Sequence, residues 1–188
     1  MANKTWQLDQ AHTNIEFAVK HLMIATVRGR FGGVKGTVQV DEANPLGSHV
    51  ELTIDAASVD TRQEQRDAHL RSPDFFDVSR FPTIRFVSRR VEGDPQGEFQ
   101  LIGDLTIRDV TKEVTVNVTN EGRGVDPWGN YRAGFTASTK IDRRDFGLTW
   151  NQALETGGST VGHEVKLTID AEFFRALQET EKEAKVAA

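Results

Sequence analysis

The residues able to do chemistry crowd into one stretch, Asp60 to Phe86, reading DTRQEQRDAHLRSPDFFDVSRFPTIRF. Arg62, Arg66, Asp67, His69 and Arg71 come first, on a charged helical turn, and Phe75, Phe76 and Phe81 follow between Pro73 and Pro82. Catalysis finds little support in these or other residues. A hydrolase triad needs a positioned nucleophile, a base and an orienting acid, yet Ser48, Ser58, Ser72, Ser79, Ser88, Ser138 and Ser159 have no G-x-S-x-G context. The five histidines are scattered, with no H-x-H or H-E-x-x-H to hold a metal. His163 and Glu164 are adjacent on an expected strand and so point to opposite faces. With no cysteine, thiolate nucleophiles, thiolate metal sites and disulfides are excluded. Asp9 and His12 flank a break in the pattern and read as turn caps; a metal pair there would need further ligands, and none is evident in the sequence.

Aromatic residues in a loop must be buried against something, and prolines restrict the backbone around them. The stretch therefore reads as a lid or plug that closes one end of a larger structure and sets charged groups near a mouth. Around it, apolar and polar residues alternate, which is strand logic. Ile15, Phe17 and Val19 share one face, as do Val50, Leu52 and Ile54; Leu101, Leu105 and Ile107; Val114, Val116 and Val118; Phe135, Ala137 and Ile141; and Val165, Leu167, Ile169 and Phe173. The run VRGRFGGVKGTVQVD reads as one long strand, its glycines at 29, 32, 33 and 36 marking the corner of a curved sheet.

This gives roughly eight strands joined mostly by short turns, with one helical insertion and no βαβ rhythm. An antiparallel sheet with one apolar face and no helices to cover it closes on itself. The expected fold is all-β, an eight-stranded antiparallel, up-and-down β-barrel, with a β-sandwich as the alternative. The 188 residues make one domain, expected over residues 1–175, with residues 176–188 a polar, helix-favouring tail. A net charge of −5 argues against nucleic acid as a partner. No apolar stretch reaches a membrane span, and the N-terminus lacks the apolar core of a signal peptide. The expected location is cytoplasmic, or periplasmic if the sequence is a mature form.

Four blocks, DQAHTNIEFAVKHLMIATVRGRF, IDAASVDTRQEQRDAHLRSPDFFDVSRFPTIRF, GDLTIRDVTKEV and GFTASTKIDRRDFGL, resemble the YceI-like family of polyisoprenoid-binding proteins. The resemblance runs from about Trp6 to Phe173. The chain departs mildly from the family pattern at Asp109, where glycine is typical, and at Thr13, where serine is. The resemblance implies a lipocalin-like barrel holding a long isoprenoid or other amphiphilic chain, a homodimer, and no catalytic activity or cofactor. Such a ligand needs an apolar tunnel, for which the inward rows supply Ile15, Phe17, Val19, Phe31, Val38, Phe86, Leu101, Leu105 and Phe135, with Phe75 and Phe76 from the lid. Those rows carry no carboxylate or histidine. A pyrophosphate or quinone head would meet donors at the mouth, where Arg28 and Arg30, two apart on a strand, face the same side and His21 serves the same end; the alternative is that these arginines are solvated or paired with Asp and Glu. Asp67 is expected to pair with Arg66 or cap the helix. Trp128 and Trp150 suit a mouth or a dimer contact. Three readings follow: a carrier of an isoprenoid lipid such as a polyprenyl pyrophosphate or quinone, with transient membrane contact; an enzyme acting on such a lipid; and a filled-barrel structural dimer.

Overall fold

The computed structural model describes residues 4–41, 43–155 and 157–176. Its strands are β1 (Lys4–Leu8), β2 (Asn14–His21), β3 (Ala25–Phe31), β4 (Val34–Val40), β5 (His49–Asp55), β6 (Val59–Asp60), β7 (Thr83–Gly93), β8 (Glu98–Ile107), β9 (Val110–Val125), β10 (Asn130–Asp142) and β11 (Val161–Ala176). One α-helix, α1 (Glu64–Arg71), stands between β6 and β7.

These segments fill eight positions around a closed barrel, because three positions are split strands. A short 3₁₀ turn at Gln10–His12 divides β1 from β2, the pair Gly32 and Gly33 divides β3 from β4, and a second 3₁₀ turn at Ala56–Ser58 divides β5 from β6. All pairings are antiparallel. From β4 the order runs through β5, β7, β8, β9 and β10 to β11, which closes the barrel on β1 at Gln7↔Phe174 and Leu8↔Phe173 and continues along β2. At the other end of the split strands, β2 pairs with β3 and β3 with β6. Closure leaves no long unpaired edge, which is how an all-β chain avoids edge-to-edge association.

The long glycine-rich strand expected between Val27 and Asp41 is thus two strands. At Gly33 an added Cβ would stand 2.8 Å from the Cβ of Asp55, whose N–H donates to the Gly33 carbonyl at 2.6 Å. This close approach lets the chain step from its partners β2 and β6 to β1 and β5. Gly29 serves differently. It lies within β3, and the ring of Phe17 occupies the place where its Cβ would be, with Cζ 2.3 Å away.

The barrel interior differs between its two ends. At one end Trp6, Ala133 and Phe173 pack with Val38, Tyr131 and Phe135. Ring centroids of Phe135 and Phe173 are 6.1 Å apart, those of Phe99 and Phe135 6.3 Å, and those of Trp6 and Tyr131 6.4 Å, in tilted or edge-on geometry favoured by aromatic quadrupoles. At the other end the chain from Thr61 to Pro82 crosses the opening. With only eight residues and few apolar ones, α1 cannot be stable alone; contacts with the barrel rim must hold it. Residues 177–188, which cover nearly all of the expected polar tail, lie outside the described residues.

Candidate functional site

Below the lid is a cavity of about 340 Å³. Its walls come from β2 and β3 (Ile15, Phe17, Val19, Val27 and Phe31), from β8, β10 and β11 (Leu105, Ile107, Ile141, Val165 and Leu167), and from the lid (Leu70, Phe75 and Phe76). The alternation that closes the barrel also makes this wall apolar, since each strand turns its even or odd set inward. Phe17 and Phe31 lean on each other with centroids 5.7 Å apart, and Phe31 meets Phe76 edge-on at the same distance.

The lid is pinned residue by residue. Thr61, at the end of β6, is buried and donates to the buried Asp67 through both N–H, at 2.9 Å, and hydroxyl, at 2.5 Å. Arg66 donates from Nε to the Thr61 hydroxyl at 2.7 Å and from Nη2 to its carbonyl at 2.9 Å. Asp67 and Arg66 thus meet on Thr61 instead of pairing with each other, and Asp67 does not cap the helix: the Gln63 side chain accepts from the Arg66 N–H in that role. Arg71 donates to the carbonyls of Ala57 and Val59 at 2.9 and 3.0 Å, tying the end of α1 to the turn beneath it. His69 lies on Asp74 at 2.8 Å and stands edge-on to Phe75 and Trp150, at 5.0 and 4.7 Å between centroids. The block RDAHLRSPDFFD is therefore a fastening: its polar members lock the lid and its phenylalanines face the cavity.

A second polar device lies between the end of β10 and the start of β11. Arg143, 5% exposed, follows β10 in a 3₁₀ turn. It donates to the carbonyls of Gly162 (2.8 Å), Leu148 (2.6 Å), Trp150 (2.9 Å) and Val161 (3.3 Å). No carboxylate pairs with it among the described residues, and burial pushes its guanidinium below its usual range. One residue thus stitches the segment after β10 to the start of β11, and places a positive charge at the cavity wall. Neighbouring Arg144 has a different role, lying exposed on Asp142.

The residues singled out in the sequence divide between three places. Ile15, Phe17, Val19, His21, Phe31, Phe75, Phe76 and Leu105 line the cavity. Val38, Phe86, Leu101 and Phe135 point inward but pack in the barrel interior away from the cavity. Arg28 and Arg30 lie on the outer face of β3, because Val27 and Phe31 take the inward parity, and Arg30 holds Asp60 at 3.1 Å. Arg66, His69 and Arg143 line the cavity instead. Two histidines thus face the cavity: His21, which the sequence placed at the mouth, and His69 from the lid. Trp150 borders the cavity, whereas Trp128 is 80% exposed in the turn between β9 and β10.

At Asp9 and His12 the fold supplies a third metal-type group, Glu172, which the sequence could not reveal. The space between them is already used by a cation. Arg132 meets Asp9 at 2.6 Å, Asp126 at 2.8 Å and Glu172 more closely still. Hydrogen bonds from Arg132 and His12 hold the Asp9 carboxyl down at about 2. This outer cluster braces the break between β1 and β2 against β9, β10 and β11.

Comparison with known proteins agrees with this architecture. The YceI-like domain profile matches residues 6–173. A UPF0312 protein of Yersinia enterocolitica is 39% identical over 165 residues, 88% of this chain and 82% of that protein. One from Pseudomonas aeruginosa is 44% identical over 137 residues, 73% and 71% of the two chains. Among solved structures, BcnA of Burkholderia cenocepacia superposes with a TM-score of 0.76 at 25% identity, covering 88% of this chain and 98% of that one. A polyisoprenoid-binding domain from Saccharophagus degradans shares the fold, with a TM-score of 0.63 at 15% identity and coverage of 89% and 97%. By its profile match and its relatives, the chain belongs to the YceI-like family.

Proposed function

We propose that the protein binds the isoprenoid chain of an amphiphilic lipid, a polyprenyl pyrophosphate or an isoprenoid quinone, for carriage, storage or protection and without altering it. The observation that carries this reading is the apolar cavity beneath a fastened lid. At about 340 Å³ it lies near the lower end of ligand pockets, which run from about 300 to 1,000 Å³. This space is small beside a chain of many isoprene units. A longer chain must displace the lid, unpack the aromatic floor or leave its remainder outside. Burial of about 0.8 kcal/mol per CH₂ supplies affinity without polar contacts. The polar head falls to the rim, where Arg66, His69 and the Arg143 charge are within the same cavity wall. That the Saccharophagus degradans domain is described as polyisoprenoid-binding supports the ligand class.

His69 with Asp74 has the form of a base and its orienter. The Thr61 hydroxyl on the same wall, however, is already committed to Asp67 and Arg66, and the arrangement reads as a lid fastening. Organic extraction of the purified protein followed by mass spectrometry tests the binding reading. A stoichiometric isoprenoid or quinone is the expected result. An empty extract, from protein that also fails to take up added isoprenoid lipid, would overturn it and favour a role on the outer surface.

A further inference from the structure

The hairpin joining β2 to β3 ends in Leu22, Met23 and Ile24. Met23 is 64% exposed and Ile24 84% exposed, two of the few large apolar side chains left in solvent. The turn holding them is strained. Leu22 has φ 51° and Met23 φ 59°, and the Ile24 N–H donates to the His21 carbonyl at 3.2 Å. Two consecutive left-handed residues define the type I′ hairpin turn, which Asn-Gly fills at least cost. Here the sequence places leucine and methionine instead. A stability-driven choice would give a smaller, more polar tip, so the strain points to a use for the apolar one.

The position of the tip suggests that use. His21 at its base lines the cavity, and the Leu22 N–H donates at 2.9 Å to the carbonyl of Thr160, which leads into the neighbouring strand β11. The apolar tip is continuous with the mouth. Behind it, on the outer face, Lys20, Arg28 and Lys166 are exposed. Arg28 and Lys166 both register with Ala18, one from β3 and the other from β11. None of the three has an ion-pair partner among the described residues, although the protein as a whole is acidic. Nearby Arg30 and Lys140 are neutralised by Asp60 and Glu164.

We propose that this hairpin docks the cavity mouth onto a phospholipid bilayer bearing anionic headgroups, Met23 and Ile24 entering the acyl boundary while Lys20, Arg28 and Lys166 meet the phosphates. An apolar tip with a basic collar is the pattern of interfacial membrane binding. The proposal rests on the lipid-binding reading in one respect: a cavity near the lower end of ligand-pocket sizes leaves the rest of a long chain in the bilayer while the protein is docked.

The test is flotation with vesicles of phosphatidylcholine, with and without phosphatidylglycerol, run beside uptake of a fluorescent fatty-acid probe into the cavity. Wild-type protein should float with the anionic vesicles and lose this at high salt. The double variant M23G/I24S, which relieves the left-handed strain at one position, should keep or raise Tm, keep probe uptake, and bind vesicles at least tenfold more weakly. K20Q/R28Q/K166Q should lose the preference for phosphatidylglycerol. A wild-type protein that floats with neither vesicle, or an M23G/I24S variant that floats as well as wild type, overturns the proposal. So does light scattering in which M23G/I24S turns a dimer into a monomer without vesicle binding by either form, which would make the tip a contact between two copies of the chain. Loss of probe uptake with vesicle binding intact would count against the cavity reading and leave the docking surface standing.

Discussion

Gly29 and Phe17 form a coupled pair that sets the size of the cavity. The ring of Phe17 lies over Gly29, where any side chain would collide with it at 2.3 Å and with Thr61 Cγ2 at 2.8 Å. Gly29→Val should therefore drive the ring into the cavity. Overpacking of this kind costs about 1–3 kcal/mol, and we expect isoprenoid uptake to fall about tenfold, read by ligand titration with Tm recorded alongside. Arg143→Met is expected to act on stability more than on uptake, because four carbonyls lose their donor at once. Urea unfolding should show a loss of about 3 kcal/mol. Little in the sequence marks Arg143 out. It precedes a second arginine of the same chemistry, and only the turn of the chain after β10 buries one and exposes the other. Phe17 and Phe31, by contrast, were legible as inward residues because strand parity alone directs them there.

At the scale of elements, the lid is an attached part with its own fastening. Asp67→Ala removes the acceptor from both the N–H and the hydroxyl of Thr61. An unmet buried donor costs about 1–3 kcal/mol, and α1 has little intrinsic stability to offset it. Amide hydrogen exchange across residues 61–78 should quicken by about tenfold or more, while β8, β9 and β10 keep their protection. Unchanged exchange in the lid would show that Arg71 and the phenylalanines suffice to hold it. The lid was legible in the sequence because rhythm and composition change together there. The split strands were legible only in part. The inward parity switches at each break, from Leu8 to Ile15, from Phe31 to Val34 and from Ile54 to Val59; the break at Asp9–His12 shows in the sequence, whereas the run through Gly32 and Gly33 reads as one strand until the change of pairing partner reveals the step.

At the scale of the whole molecule, the barrel is held at its weakest seam by charge. The break between β1 and β2 is bridged by Arg132 to Asp9, Asp126 and Glu172, with His12 on Asp9 at 2.9 Å. Asp9 is held at about 2, chiefly by Arg132, against about 3.9 in an unfolded chain. Its contribution is thus full above about pH 4 and is lost as pH falls toward 2, worth on the order of 1–2 kcal/mol. His12 is raised, by the Asp9 hydrogen bond above all. Its share is full below about pH 6.5 and is lost as pH rises through the raised value. The seam should be firmest between about pH 4 and 6.5. Arg132→Met should lower Tm fully above about pH 4 and progressively less toward pH 2, measured by calorimetry across pH; a difference that stays constant with pH would refute the assignment. Closure into eight positions was legible from strand count and one-sided apolarity. The split of the interior into a packed end and a hollow end was not, because inward residues of both halves are alike in type and only their summed volumes in three dimensions decide where space remains.

The aromatic layer of Trp6, Phe135 and Phe173 makes the barrel a cul-de-sac. The ligand proposed for it would enter and leave by one door, so nothing could be threaded through from one face to the other. Loading and unloading become the same movement run in opposite directions, and two ligands cannot queue. The residence time of such a chain would then track how often Thr61 lets go of Asp67, making the lid a clock as well as a cover.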